Sequence, residues 1–138
     1  MKMLGQHLIV EYSECDKDTL NDVHLIEKYM NEAVRQSGAT IVRSVFHRYS
    51  PHGVSGVVVI AESHFAIHTW PEYGYAAVDF FTCGKVVDPY KAYEYMKMTL
   101  HSTTTSATEL KRGMPSESDE VINHKPESAG VTVTPSPA

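Results

Sequence analysis

TIVRSVFHRYSPHGVSGVVVIAESHFAIHTWPEYGYAAVDFFT, residues 40–82, decides the fold. Residues 40–49 and 54–61 are rich in β-branched side chains, with Ser50-Pro51-His52-Gly53 between them. Branched residues suit a pleated surface, and Pro and Gly set turn dihedrals, so this pair reads as a β-hairpin. Residues 64–70 read as a further strand, stopped by Pro71, which has no amide to give a ladder. Residues 71–74 make the next turn and residues 75–82 the next strand. Consecutive strands joined by short turns pair antiparallel.

Working outward, residues 5–12 read as a strand with Leu8, Val10 and Tyr12 on one face and His7, Ile9 and Glu11 on the other. Neither face is wholly polar, so cover is expected on both. Residues 18–37 read as a helix, with Asp18 as N-cap and Gly38 as its stop. Leu20, Val23, Ile26, Met30, Ala33 and Val34 form its core stripe. Asp88-Pro89 is a cap followed by proline at the first helical position, opening a helix over 89–100 that buries Ala92, Tyr93 and Met96. The threonine-rich stretch 102–110 is the last strand. The order β-α-β-β-β-β-α-β predicts an α+β, two-layer sandwich: an antiparallel sheet with two helices on one face. The second face carries apolar and aromatic residues, and a face-to-face homodimer is the economical way to cover it.

The chain of 138 residues reads as one domain over 1–112 followed by a tail over 113–138. The tail holds four prolines, many serines and threonines and few large apolar side chains, so it is expected to be disordered. A formal net charge of −5 argues against a nucleic-acid partner. The N-terminal stretch lacks the apolar core of a signal peptide, and the run 57–61 is far too short to span a membrane. Two cysteines, Cys15 and Cys83, make no disulfide framework. A cytoplasmic protein with no membrane partner is the expectation.

Residues 61–84 concentrate the reactive groups: Glu62-Ser63, His68, Glu72 and Cys83. His64 and His68 have a helical zinc-ligand spacing, but in a strand they stand roughly 13 Å apart, too far to share an ion. No metal is expected there. A Ser-His-acid hydrolase is also disfavoured, because Ser63 has no Gly-x-Ser-x-Gly elbow. Residues five apart on a strand face opposite ways, so Ser63 meets the His68 side only if the chain turns or bulges near Glu62. A strained backbone at that point suits self-cleavage better than hydrolysis. Cys83, before Gly84, reads by itself as a small packed residue, Ser55 as a hydroxyl near a turn and Tyr49 as a surface aromatic.

Longer motifs say more. Glu62-Ser63-His64, Ile67-His68-Thr69-Trp70-Pro71-Glu72-Tyr73-Gly74-Tyr75 and Phe81-Thr82-Cys83-Gly84 closely resemble the prokaryotic S-adenosylmethionine decarboxylases, the small pyruvoyl-dependent kind. His47-Arg48-Tyr49, Gly53-Val54-Ser55-Gly56 and Leu4-Gly5-Gln6-His7-Leu8 extend the resemblance over roughly residues 4–100. It implies a proenzyme in which Ser63 attacks the Glu62 carbonyl. His68 then removes the Ser63 α-proton, Ser55 assists, and residue 63 becomes a covalent pyruvoyl cofactor. The products are residues 1–62 and 63–138. The pyruvoyl group would form a Schiff base with S-adenosylmethionine and accept the electrons released with carbon dioxide, giving the aminopropyl donor for spermidine and other polyamines. Cys83 resembles the proton donor, Glu72 the acid that holds the ribose hydroxyls, and Tyr49 the aromatic that stacks on adenine, where phenylalanine is common. The family's protomers pair into a four-layer αββα dimer with active sites at the interface. The same pyruvoyl chemistry on arginine or ornithine, and an inactive binding partner, are the competing readings. The tail matches no motif.

Overall fold

The computed structural model describes residues 4–113. Six strands, β1 (Gly5–Ser13), β2 (Ile41–Arg48), β3 (Val54–Ile60), β4 (Ser63–Trp70), β5 (Tyr75–Thr82) and β6 (Thr104–Arg112), form one sheet in the order β2-β3-β4-β5-β1-β6. Every pairing is antiparallel. Helices α1 (Lys17–Leu20), α2 (Val23–Ser37) and α3 (Pro89–Thr99) complete the α+β fold, with a 3-10 turn over Pro71–Tyr73. The predicted tail, beyond Gly113, lies outside the described residues.

Strand alternation divides the sheet. Leu8, Val10, Tyr12, Phe65, Ile67, Val78 and Phe80 point to the helices and are buried with Ile26, Met30, Val34 and Met96. Phe65 and Phe80 meet edge to face at 4.8 Å. Tyr12 is buried among them, and its hydroxyl donates to the Tyr93 carbonyl at 2.9 Å. Burial pushes its ionisation far up, so it stays a neutral donor. The alternate residues, among them His7, Asp79, Phe81, His64, His68 and Ser55, lie on the face the helices leave open.

The single helix expected over 18–37 is two helices. Asp16 caps α1 by accepting from the Thr19 amide, and Asp22 caps α2 by accepting from the His24 and Leu25 amides. Asp18 sits inside α1 and caps nothing. The break frees Asn21 to hold the hairpin turn: its side-chain oxygen accepts from the Gly53 amide at 3.0 Å, and its carbonyl from Arg48 Nε at 3.3 Å. Gly38 ends α2 with φ 88, a left-handed conformation that glycine adopts without strain. Asp88 caps α3 as expected, accepting from the Tyr90 amide. The last strand begins and ends two residues later than expected, and the Leu4 amide bonds the Gly113 carbonyl at its end. Among the described residues, no helix is long and apolar enough to cross a membrane.

Candidate active site

The turn between β2 and β3 and the 3-10 turn after β4 meet at one end of the sheet. Thr69 locks them together. Its hydroxyl accepts from the Val54 amide at 2.9 Å and donates to the Leu20 carbonyl at 2.8 Å. Tyr49, His52, Ser55, His68, Trp70 and Glu72 line a cavity of about 230 Å³ there. Ser55 and His68 stand opposite each other in the β3–β4 ladder, and Ser55 Oγ lies 2.8 Å from His68 Nδ1. Tyr49 is 48% exposed and Trp70 40%, with Trp70 stacked on Tyr75 at 5.3 Å. Glu72 Oε2 lies 3.0 Å from His52 Nε2. Its own backbone N–H, and then His52, hold its carboxyl below the usual carboxylate range despite some desolvation. The pocket thus joins aromatic surface, an ionised carboxylate and a hydroxyl–imidazole pair. A larger, open depression of about 420 Å³ beside α3, lined by Glu94, Lys97 and His101, has no comparable chemistry.

A second cluster lies at the other end of β4. Glu62 occupies the tight turn into β4 with φ 69, a left-handed conformation that costs a non-glycine residue roughly 1–3 kcal/mol. Ser63 opens β4 directly after it. The half-buried Cys83 comes in from the end of β5, and its Sγ donates to the Glu62 carbonyl at 3.2 Å. Cys15, the other cysteine, is buried behind the sheet, where burial pushes its thiol up to about 11. Cys83 is therefore the cysteine placed for chemistry.

These clusters do not meet within one chain. Ser63 pairs with Ile60 and His68 with Ser55 in one unbroken register. Five residues of extended strand, roughly 16 Å, separate Ser63 from His68. The turn expected near Glu62 is present, but it does not bring Ser63 to His68.

The profile of the S-adenosylmethionine decarboxylase family matches residues 6–113. The chain belongs to this family. Proteins named S-adenosylmethionine decarboxylase proenzyme from Thermotoga petrophila and Thermotoga maritima are 59% and 58% identical to it over 113 residues, covering 82% of this chain and 87% of theirs. One from Caldicellulosiruptor saccharolyticus is 51% identical over 123 residues, covering 89% of this chain and 99% of its own. The crystal structure of the adenosylmethionine decarboxylase from Aquifex aeolicus superimposes with a TM-score of 0.79 at 33% identity, covering 88% of this chain and all of that one.

Against the background of this decarboxylase family, four residues that sequence reasoning passed over stand out. His52 lies in a stretch read only as a turn, yet it faces Glu72. Trp70, read as a strand end, walls the cavity. His7 and Asp79 sit on the open face, and Asp79 Oδ2 lies 2.8 Å from His7 Nε2 and 3.3 Å from His64 Nε2. The signal at His7 and Asp79 was polarity at strand positions that alternate with the core residues, which gains meaning only once three strands are in register.

Proposed function

We propose that this protein is an S-adenosylmethionine decarboxylase proenzyme that cleaves itself between Glu62 and Ser63 to make a pyruvoyl cofactor. We further propose that two copies complete each site. The contact between Cys83 and the Glu62 carbonyl carries this reading. It puts a thiol donor on the carbonyl of the peptide bond that must break, in a turn already strained at Glu62.

In processing, Ser63 Oγ attacks the Glu62 carbonyl carbon, and the peptide bond becomes an ester. The Cys83 thiol, hydrogen-bonded to that carbonyl oxygen, favours the charge that builds there. Removal of the Ser63 α-proton by an imidazole then expels the Glu62 carboxylate. Water releases ammonia from what remains of residue 63 and leaves a ketone. Ser55 orients His68 for the proton transfer through the 2.8 Å contact.

The roughly 16 Å between Ser63 and His68 supports a two-chain site. A two-fold axis lying between stacked open faces and perpendicular to β4 reverses that strand. It sets the Ser63 end of one copy over the His68 end of the other. Val45 and Val59, exposed on that face, gain cover by the same packing.

The pyruvoyl group, once made, supplies a carbonyl for the substrate amine and a sink for the electron pair released with carbon dioxide. Glu72, held ionised, accepts hydrogen bonds from two ribose hydroxyls. Tyr49 offers its ring face to adenine and to the sulfonium. Cys83 returns a proton to the substrate carbon, and the product keeps the aminopropyl group from which polyamines are built. A pocket with aromatic walls and a carboxylate suits a nucleoside better than it suits arginine or ornithine.

The test is the intact mass of the purified protein under denaturing conditions, followed by carbon dioxide release from S-adenosylmethionine, arginine and ornithine. Chains of residues 1–62 and 63–138, with the second blocked at its start and release from the nucleoside alone, are expected. Ser63→Ala should abolish both cleavage and release; release surviving in that variant would sink the mechanism.

A further inference from the structure

Asp79 lies on β5 directly opposite Ile9 of β1 and Ala66 of β4, so its diagonal neighbours on the open face are His7, Glu11, His64 and His68. Its carboxylate turns to His7 and His64, with Oδ2 2.8 Å and 3.3 Å from their Nε2 atoms. Arg112, from β6, approaches His7 Nδ1 through Nη1 at 3.3 Å.

These contacts fix the protons. Arginine only donates, so His7 Nδ1 accepts and the His7 ring proton sits on Nε2, aimed at Asp79. A carboxylate only accepts, so the His64 Nε2 must carry a proton as well, leaving Nδ1 as the acceptor of the neutral ring. Burial works against ionising Asp79, but the hydrogen bonds from His64 and His7 outweigh it and hold the carboxyl below its usual range.

Two imidazoles and a carboxylate also make a ligand set for a transition metal, with all three donor atoms within 4.8 Å of one another. The guanidinium beside His7 opposes a cation there, and both Nε2 atoms are already committed to Asp79. A hydrogen-bonded brace fits the geometry better.

What the brace holds is the reactive end of the sheet. His64 directly follows Ser63. Phe81, two residues before Cys83, packs against the rings of His7 at 5.3 Å and His64 at 5.5 Å, and the Arg112 guanidinium lies 5.2 Å from its centre. One network therefore ties the start of β4 to the end of β5, beside the contact between Cys83 and Glu62.

We propose that Asp79 is a positioning residue for the Ser63–Cys83 end of the site: it joins His64 to His7 and fixes the tautomer and ring orientation of the side chain next to Ser63. This inference rests on the function proposed above. Asp79 acts through His64 and touches neither substrate nor the breaking bond.

The experiment compares full-length wild-type protein with Asp79→Asn, which keeps the side chain's shape but removes the charge of the acceptor that both imidazoles share. Cleavage rate and kcat should each fall roughly tenfold or more, the scale of a misplaced reacting group. KM should stay within about twofold, because substrate binding is untouched. Nitrogen-15 imidazole spectra should give a single Nε2–H tautomer for His64 in the wild type and lose it in the variant. His64→Phe, which keeps a ring against Phe81 but cannot hydrogen-bond, should reproduce the rate loss and stands in if Asp79→Asn does not fold. A folded Asp79→Asn protein that cleaves and turns over at the wild-type rate overturns the inference, as does an unchanged His64 tautomer. Wild-type protein that neither cleaves nor releases carbon dioxide overturns the parent reading instead, and the spectra still decide whether Asp79 sets the His64 proton.

Discussion

The Cys83 thiol donates to the Glu62 carbonyl across 3.2 Å, bridging 21 residues of sequence. The same sulfur is therefore placed beside the bond proposed to break and beside the group that its cleavage would create. Serine at this position keeps a donor for the carbonyl but is a much weaker acid toward a carbanion. Cys83→Ser should cleave to completion while kcat falls at least about tenfold. Denaturing electrophoresis and a carbon dioxide release assay on one preparation separate the two effects, and unchanged turnover would remove Cys83 from the donor role.

Separation of Ser63 from His68 leads to a complementation result. Ser63→Ala and His68→Ala should each remain uncleaved when expressed alone. Expressed together, a mixed dimer has one site with an intact serine and an intact histidine. With random pairing, about a quarter of all sites are then whole. Cleaved chains should appear in the co-expressed sample, all from the His68→Ala copy. No cleavage in a sample that contains mixed dimers would place each site within one chain.

Glu72 gives a pH signature. Its carboxyl is held below the usual range, so the charged form, the acceptor proposed for the ribose hydroxyls, persists as pH falls through that range. KM for S-adenosylmethionine should stay flat down to the ordinary carboxylate value and rise only below it. Glu72→Gln should raise KM roughly tenfold or more at neutral pH, since an amide replaces a charged double acceptor. A KM that climbs already near neutral pH in the wild type, and is insensitive to this substitution, would assign the ribose to another group.

Asp22 and Asp18 differ by four positions and by their consequences. Asp22 satisfies two amides at the start of α2, and Asp18 satisfies none at a helix start. Asp22→Ala should cost about 1 kcal/mol in urea unfolding, the usual worth of a cap. Asp18→Ala should change stability by less than about 0.5 kcal/mol.

The boundaries that were legible in the sequence are those set by local chemistry. Tyr75–Thr82 sits between a turn and a cysteine-glycine pair, and Asp88 followed by Pro89 opens α3 as read. The break after Leu20 was not legible, because apolar spacing runs on through it from Leu20 to Val23 and Ile26. At the break Asp22 caps α2, and the Asn21 side chain accepts from the Gly53 amide, 32 residues away. The site divides in the same way. Strand spacing sets His64 and His68 apart along β4, as read, and their motifs carried the family. Yet the extended strand that separates those two histidines also carries His64 to His7 and Asp79, and that meeting depends on the order of three strands. Ser55 facing His68 is likewise a fact of register, invisible until the hairpin is paired.

The order of strands has one more outcome. Breaking the chain after Glu62 leaves β1, β2 and β3 on one fragment and β4, β5 and β6 on the other. In the sheet, β1 lies between β5 and β6, while β3 lies against β4. The fragments are therefore interleaved, not set side by side: a strand of the first is zipped on both edges by strands of the second. Parting them means undoing three backbone seams at once and exposing the whole apolar layer. The nicked molecule is thus held as one body by its weave, and severing the backbone at the reactive turn frees new chain ends without freeing either piece.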